Sequence, residues 1–201
     1  GVNLTVPFKE LILPDLDTIT LAAKEAGAVN VVIQVDGVLV GYNTDGEGLI
    51  SSLKEDHEFD PTGTKCVILG AGGAARAIAA SLAVSGAQEV VLLNRTEARS
   101  RDACVHLSKS VPACDFSSAP LTASAFEDVG KNADLVVNSL GGGAAELVET
   151  FSVADLPSHS IWVDINYWMK DPPCLDACVK RGLRTSDGLG MLVHQGALSF
   201  E

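Results

Sequence analysis

The sequence predicts an α/β protein built on a doubly wound parallel sheet, preceded by part of a smaller α/β unit. Three observations carry this: short apolar runs alternate with helical stretches from Lys65 onward, a glycine turn joins the first run to a helix, and a lone hairpin signal stands ahead of both.

Taken in order, Gly1-Val2-Asn3-Leu4-Thr5-Val6 reads as a strand in full progress without an initiator methionine, so the chain is expected to begin inside a longer one. Pro7 fits the first position of a short helix holding Phe8, Lys9 and Glu10, which sets Lys9 at a strand-to-helix junction. Between Asp15 and Glu25, Leu16, Ile19 and Ala23 fall at helical spacing, and Gly27 ends that helix. Val29 to Val35, Asp36-Gly37 and Val38 to Tyr42 spell a hairpin with a two-residue turn. Asn43-Thr44-Asp45-Gly46 then leads into a helix over 46–53.

Beyond the polar stretch Lys54 to Thr64, strands are predicted near 65–69, 89–93, 134–138, 160–165 and 183–185, and helices over 73–85, 97–108 and 173–181. Gly86, Pro112, Pro172 and Gly182 mark their ends. A last amphipathic helix begins near Leu189, carries Met191, Leu192, Gln195 and Leu198, and is still running at Phe200-Glu201. The smaller unit is expected over 1–44, rejoined by a helix in 188–201, and the larger unit over 45–187.

The 201 residues are 47% hydrophobic and 20% charged, enough to bury a sizeable core. A net charge of −12, from 14 basic and 26 acidic residues, argues against nucleic acid or an anionic membrane surface as partner. Cys66, Cys104, Cys114, Cys174 and Cys178 form no CxxC pair and no metal-ligand pattern with the histidines, so they read as reduced thiols and no metal is expected. No signal peptide or bilayer-length apolar stretch is seen, which predicts a cytoplasmic setting, or a plastid if a transit segment has been removed.

The sharpest motif is Gly70-Ala71-Gly72-Gly73-Ala74-Ala75, set between the run Cys66-Val67-Ile68-Leu69 and the helical stretch Arg76 to Val84. Unpaired N–H groups at a helix start, at the positive end of its dipole, cradle a pyrophosphate. Gly70 permits the tight turn, Gly72 lets the phosphates approach, and Ala75 lets the helix lie on the strand. A second strand, Glu89 to Leu93, follows at the spacing of a βαβ unit. At its end a carboxylate would accept the ribose hydroxyls of NAD, but Asn94-Arg95-Thr96 stands there, with Arg99 one helical turn on. Two guanidinium groups suit a 2′-phosphate, at roughly 1.5–3 kcal/mol per charge-assisted hydrogen bond, so NADP is favoured over NAD. The alternative has Thr96 capping a surface helix and both arginines solvated.

Taken singly, Lys9 reads as an exposed helix-start lysine, Asp45 as a turn former and Gln195 as the polar edge of a helix. Six segments weigh against those readings: Gly1 to Glu10, Gly27-Ala28-Val29-Asn30, Asn43-Thr44-Asp45-Gly46, the glycine turn, Asn94-Arg95-Thr96, and Asp187-Gly188-Leu189-Gly190-Met191-Leu192 with Gln195. On these the chain resembles the shikimate dehydrogenase family. The resemblance implies a Rossmann-like cofactor sheet and reversible NADP-linked oxidation of the 3-hydroxyl of shikimate to 3-dehydroshikimate, a step of the chorismate pathway to aromatic amino acids. It implies Lys9 and Asp45 as the catalytic pair, and Thr5, Asn30 and Gln195 as the substrate's hydrogen-bonding shell. Tyr167 matches a tyrosine near substrate and nicotinamide, while Gly188 and Met191 match positions lining the nicotinamide. Gly70, Ala71, Gly72, Gly73, Ala74, Asn94, Arg95, Thr96 and Arg99 would hold the rest of the cofactor.

Elementary chemistry agrees. Hydride delivery to a ketone creates an alkoxide, which a lysine ammonium can stabilise and protonate. A carboxylate beside an ammonium favours the charged form, so the pair suits reduction and net synthesis of the alcohol is predicted. Asn3 is read as structural, on the strand face opposite Thr5.

The chain departs from the family pattern in three places. The family's opening pair of hydroxyl residues, which meets the substrate carboxylate, has no counterpart in these residues. In Asn138-Ser139-Leu140-Gly141-Gly142-Gly143, Leu140 replaces a hydroxyl residue, and the glycines predict a loose loop that widens the pocket. Asn166, Trp168 and Met169 around Tyr167 are unusual too. Quinate or mixed quinate/shikimate dehydrogenase, a relative acting on another polyol acid, and a noncatalytic NADP-binding regulatory relative remain as alternatives. Glutamyl-tRNA reductase shares a glycine turn followed by Asn-Arg-Thr, but it needs a cysteine in its first domain and residues 1–65 contain none.

Overall fold

The computed structural model describes residues 1–141, 145–170, 172 and 174–201. The elements run β1 (Val2–Asn3), α1 (Phe8–Leu11), β2 (Thr18–Ile19), α2 (Leu21–Ala26), β3 (Val31–Val35), β4 (Val38–Tyr42), α3 (Asp45–His57), β5 (Lys65–Leu69), α4 (Gly73–Val84), β6 (Glu89–Asn94) and α5 (Glu97–Ser110). They continue with β7 (Asp115–Pro120), α6 (Ala123–Gly130), β8 (Leu135–Asn138), α7 (Ala145–Val148), β9 (Ile161–Asp164), α8 (Leu175–Lys180), β10 (Arg184–Ser186) and α9 (Leu189–Leu198).

The first four strands form a mixed sheet of order β1-β3-β4-β2, in which β3 is antiparallel to β1 and β4 while β2 runs parallel to β4. The hairpin turn between β3 and β4 places both Asp36 (φ 52°) and Gly37 (φ 86°) at positive φ, the geometry whose twist matches the flanking strands. The other six strands form an all-parallel sheet of order β10-β9-β8-β5-β6-β7. Its order reverses between β5 and β8, and at such a switch point a crevice opens outside the carboxyl ends of the strands.

Both faces of the parallel sheet are covered, which is why its central strands are apolar throughout. Cys66 and Ile68 pack with Leu49 and Leu53 of α3 and Ile78 and Leu82 of α4. Val67 and Leu69 point the other way, among Phe126, Leu140 and Trp162. Ala26 and Ala28 from the first unit and Met191 of α9 belong to the first of these cores, so the two sheets share hydrophobic packing.

Several elements differ from expectation, each for a local reason. Only Val2 and Asn3 of the opening strand pair with β3, because Thr5 turns the chain by accepting the Phe8 N–H at 2.8 Å. Pro7 then precedes α1 as its cap. The helix expected from Asp15 begins only at Leu21: Thr18 and Ile19 pair with β4, Asp17 accepts the Leu39 N–H at 2.7 Å, and Thr20 caps α2. Leu16 and Ile19 pack beside Ala23 and Val29 in a small core under this strand. Gly27, at φ 61°, ends α2 as expected. α3 runs past residue 53 to a left-handed Glu58. β7 and α6 are additional elements, and α8 lies within the helix predicted over 173–181, whose Pro173 falls outside the described residues.

Candidate active site

A cleft of about 460 Å³ is lined by Thr5, Lys9, Asn30 and Asp45 from the first unit and its junction and by Ala74, Ser139, Tyr167 and Gly188 from the parallel-sheet unit. Met191 and Gln195 of α9 also line it. A separate depression of about 500 Å³ around Asp56, His57 and Ser186 shares none of its lining residues and includes neither a lysine nor the glycine turn. The chemistry therefore selects the cleft.

Lys9 is placed by packing. A Cβ built on Gly73 would lie 2.8 Å from the Lys9 Cβ, so the bare start of α4 is what lets the lysine stem cross it. Lys9 Nζ donates to Asp45 Oδ2 at 2.6 Å, with the side chains 14% and 6% exposed. The other carboxylate oxygen accepts from Asn30 Nδ2 at 3.0 Å. The same amide reaches Thr44 Oγ1 at 2.9 Å and Gln195 Oε1 at 3.4 Å. Two N–H bonds face three acceptors, so the longest contact is the weakest and Gln195 Oε1 is the freest to turn elsewhere.

Backbone contacts fix the carboxylate from behind. Asn43 Oδ1 accepts the Asp45 N–H at 3.0 Å, and Asn43 Nδ2 donates to the Ala28 carbonyl at 2.9 Å. Thr44 N–H donates to Asn30 Oδ1 at 2.9 Å, and Thr44 Oγ1 donates to the Gln195 carbonyl at 3.1 Å. Sequence reasoning assigned no part to Asn43 or Thr44; the available signal was an Asx-type turn immediately before a helix.

The glycine turn has the form a pyrophosphate requires. Gly70 sits at φ +121°, and a Cβ there would meet Ser139 Oγ at 2.5 Å. Gly72 is extended and α4 starts without a side-chain cap, leaving first-turn N–H groups for an anion. Ala71 is buried behind the turn, whereas Ala74 faces the cleft.

After β6, Asn94 Nδ2 holds the Thr96 carbonyl at 2.9 Å. Thr96 stands at the N-cap position of α5, although its side chain makes no hydrogen bond to the helix. Arg95 is exposed and makes no ion pair among the described residues. Arg99 is engaged: Nη2 donates to Glu10 Oε1 at 2.5 Å and stands 4.0 Å from a Cβ built on Gly72. Glu10 was not among the expected site residues, although it adjoins Lys9.

On the opposite wall, Gly188 has φ +79°, and a Cβ there would lie 2.6 Å from the Asp164 carbonyl. Tyr167 is 48% exposed and meets Trp168 edge to face, ring centres 5.1 Å apart. Beneath them Asp164 is fully buried. Its Oδ1 accepts from Asn166 N–H and Nδ2 at 2.9 and 2.7 Å, and its Oδ2 from Asn138 Nδ2 at 2.7 Å. This network ties the ends of β8 and β9 below the segments that carry Ser139 and Tyr167, and it explains the unusual Asn166.

Two expectations are corrected. Leu140 is 5% exposed, packs in the second core and is not a cleft residue, so its lack of a hydroxyl takes nothing from the wall, where Ser139 stands instead. Gly142 and Gly143 of the expected loose loop lie outside the described residues. Asn3 lines the same cleft as Thr5, because residues two apart on an extended chain share a face.

A glycine turn at the switch point of a parallel sheet, with a lysine–carboxylate pair packed beside it in one cleft, defines a dinucleotide-dependent oxidoreductase of two α/β units. Family models described as "Shikimate dehydrogenase substrate binding domain" and "Shikimate / quinate 5-dehydrogenase" match residues 1–32 and 53–167. The shikimate dehydrogenase (NADP(+)) of Geobacter metallireducens is 41% identical over 198 residues, covering 98% of this chain and 69% of the relative. Shikimate 5-dehydrogenase from Listeria monocytogenes, in complex with shikimate and NAD, is similar with a TM-score of 0.86 at 31% identity, covering 99% of this chain and 71% of that one. The ligand-free 5-ketofructose reductase of Gluconobacter sp. strain CHM43 gives a TM-score of 0.80 at 32% identity over 99% and 71% of the two chains. The chain belongs to the shikimate dehydrogenase family.

Proposed function

We propose that the protein is an NADP-dependent oxidoreductase that interconverts 3-dehydroshikimate and shikimate, with Lys9 and Asp45 as its catalytic pair. The observation that carries this reading is the 2.6 Å Lys9–Asp45 ion pair set in a cleft against the start of α4, one residue from the glycine turn's Gly72. NADP(H), when bound, supplies or accepts the hydride. The Lys9 ammonium stabilises the developing alkoxide and delivers its proton, while Asp45 orients the ammonium and accepts a hydrogen bond from a substrate hydroxyl. The direction so favoured is reduction of the ketone.

Thr5, Asn30 and Gln195 line the cleft with neutral hydrogen-bonding groups suited to a polyol, and Tyr167, on the same lining, would stand near substrate and nicotinamide. Gly188 and Met191, which line the cleft, would flank the nicotinamide. Gly70, Ala71, Gly72, Gly73 and Ala74 would hold the pyrophosphate, and Asn94, Arg95, Thr96 and Arg99 would hold the 2′-phosphate. An asparagine rather than a carboxylate at the end of β6 supports NADP. The working division of the chain is a substrate unit over 1–44, rejoined by the helix in 188–201, and an NADP unit over 45–187. No helix among the described residues is long and apolar enough to cross a membrane. Five free thiols support a reducing, cytoplasmic setting.

The test is nicotinamide absorbance with shikimate or quinate against NADP or NAD. Shikimate with NADP should be the fastest of the four combinations. A higher rate with quinate and NAD would overturn the substrate and cofactor assignment, and NADP binding with no turnover in any combination would make the protein a noncatalytic relative.

A further inference from the structure

Glu10 sits one residue from Lys9 on α1, yet its carboxylate faces the cofactor half. One oxygen accepts from Arg99 Nη2 at 2.5 Å, and the other lies 3.6 Å from Arg76 Nε on α4. Arg76 is 12% exposed and its Nε finds no hydrogen-bond partner among the described residues, so Glu10 is the counter-charge of a nearly buried guanidinium. Arg99 is 52% exposed and can turn away. A single carboxylate thus holds one arginine that cannot leave and one that can.

We propose that Glu10 is a positioning residue that sets the preference between phosphorylated and unphosphorylated dinucleotide by competing for Arg99. The inference rests on the reading of Arg99 as part of the 2′-phosphate site. A phosphate arriving at Arg99 either displaces the carboxylate or shares the guanidinium with it at the cost of like-charge repulsion. Both outcomes weaken binding of the phosphorylated cofactor relative to a neutral side chain at position 10. Glu10→Gln keeps the oxygen that orients Arg99 and removes the charge, so it separates orientation from competition.

Dissociation constants for NADP and NAD, from fluorescence or calorimetric titration, decide the matter. NADP should bind about fivefold tighter to Glu10→Gln, roughly 1 kcal/mol at the standard conversion and the size of a partly exposed ion pair, with NAD changed by less than about twofold. In an Arg99→Ala background the same substitution should shift NADP affinity by less than about twofold, since the coupled pair is gone. Unchanged or weakened NADP binding in Glu10→Gln, alongside an Arg99→Ala variant that does lose NADP affinity, overturns the competition and leaves the 2′-phosphate site standing. If Arg99→Ala binds NADP as well as the unaltered protein does, the 2′-phosphate assignment falls and the inference with it. Thermal melts of each variant confirm that folded protein is compared.

Discussion

At the scale of single residues, the Lys9 ammonium has two jobs whose loss can be told apart. It is the proton donor of the proposed reaction, and it is the counter-ion of the buried Asp45 carboxylate. Lys9→Ala should therefore lower turnover by ~10²–10⁴. It should also cost about 1–3 kcal/mol of stability, because Asp45 keeps the Asn30 amide and the open side of the cleft but loses its charge partner. NADP affinity should stay the same. Single-turnover rates, a thermal melt and a cofactor titration separate the three, and a variant with ordinary turnover would remove Lys9 from the mechanism. Lys9, Asn30, Asp45 and Gln195 were legible because each is a chemistry-bearing type inside a recognisable segment, and the structure brings all four to one cleft. Asn43, Thr44 and Asp164 were not, since their work is done on backbone or buried amides. The Asx-type turn ahead of α3 marks Asn43 and Thr44 only as a helix start, and nothing in the local sequence announces the buried partners of Asp164. Glu10 was hidden differently: its partners Arg76 and Arg99 are distant in the chain, and only the fold turns α1 toward α4 and α5.

At the scale of elements, the site depends on α3 lying close against α9, and glycine sets that spacing. A Cβ on Gly48 would come within 2.7 Å of the Gln195 backbone N and Cβ. Alanine within a helix ordinarily gains roughly 0.5–1 kcal/mol over glycine, whereas overpacking costs about 1–3 kcal/mol. The obstructing atoms include backbone, so the second effect wins. Gly48→Ala should lower the melting temperature and, by pushing α9 and Gln195 outward, raise KM for the polyol while leaving NADP affinity unchanged. A higher melting temperature would show that the two helices are free to move apart without cost. The strands and helices that line the site were the legible ones, because buried parallel strands are continuous apolar runs and the glycine turn punctuates one of them. β7, by contrast, is a polar edge strand ending in Pro120. β2 is two β-branched residues whose partners lie twenty-two positions further on, so neighbouring Leu16 and Ala23 mimic a helical period that the pairing with β4 overrides.

At the scale of the whole molecule, all five cysteines lie between residues 66 and 178, the part of the chain that builds the parallel sheet, and none lies in the first unit. Burial pushes the thiols of Cys66 and Cys178 up to about 12 and those of Cys104, Cys114 and Cys174 up to about 11. At pH 8 the thiolate fraction is then on the order of 10⁻³ or less, and four of the five side chains are also covered, so alkylation has to wait for the sheet to open. Opening becomes rarer when NADP binds only the closed form: at a hundredfold excess over its dissociation constant it adds about 2.7 kcal/mol, or roughly a hundredfold in the closed-to-open ratio. Intact-mass analysis after iodoacetamide at pH 8 should show no adducts on the folded protein over minutes and five after denaturation. With saturating NADP the slow labelling of the folded protein should slow further, by up to about a hundredfold, equally for Cys66 on β5 and Cys178 on α8. Cys174 is the least covered, held by a Sγ–H to Val148 carbonyl contact of 3.0 Å, and is the residue on which a separate local opening would register first. Labelling of Cys66 at one rate with and without bound NADP would mean that the strand feeding the glycine turn opens independently of the ligand, and the sheet and the dinucleotide site would not be a single cooperative unit.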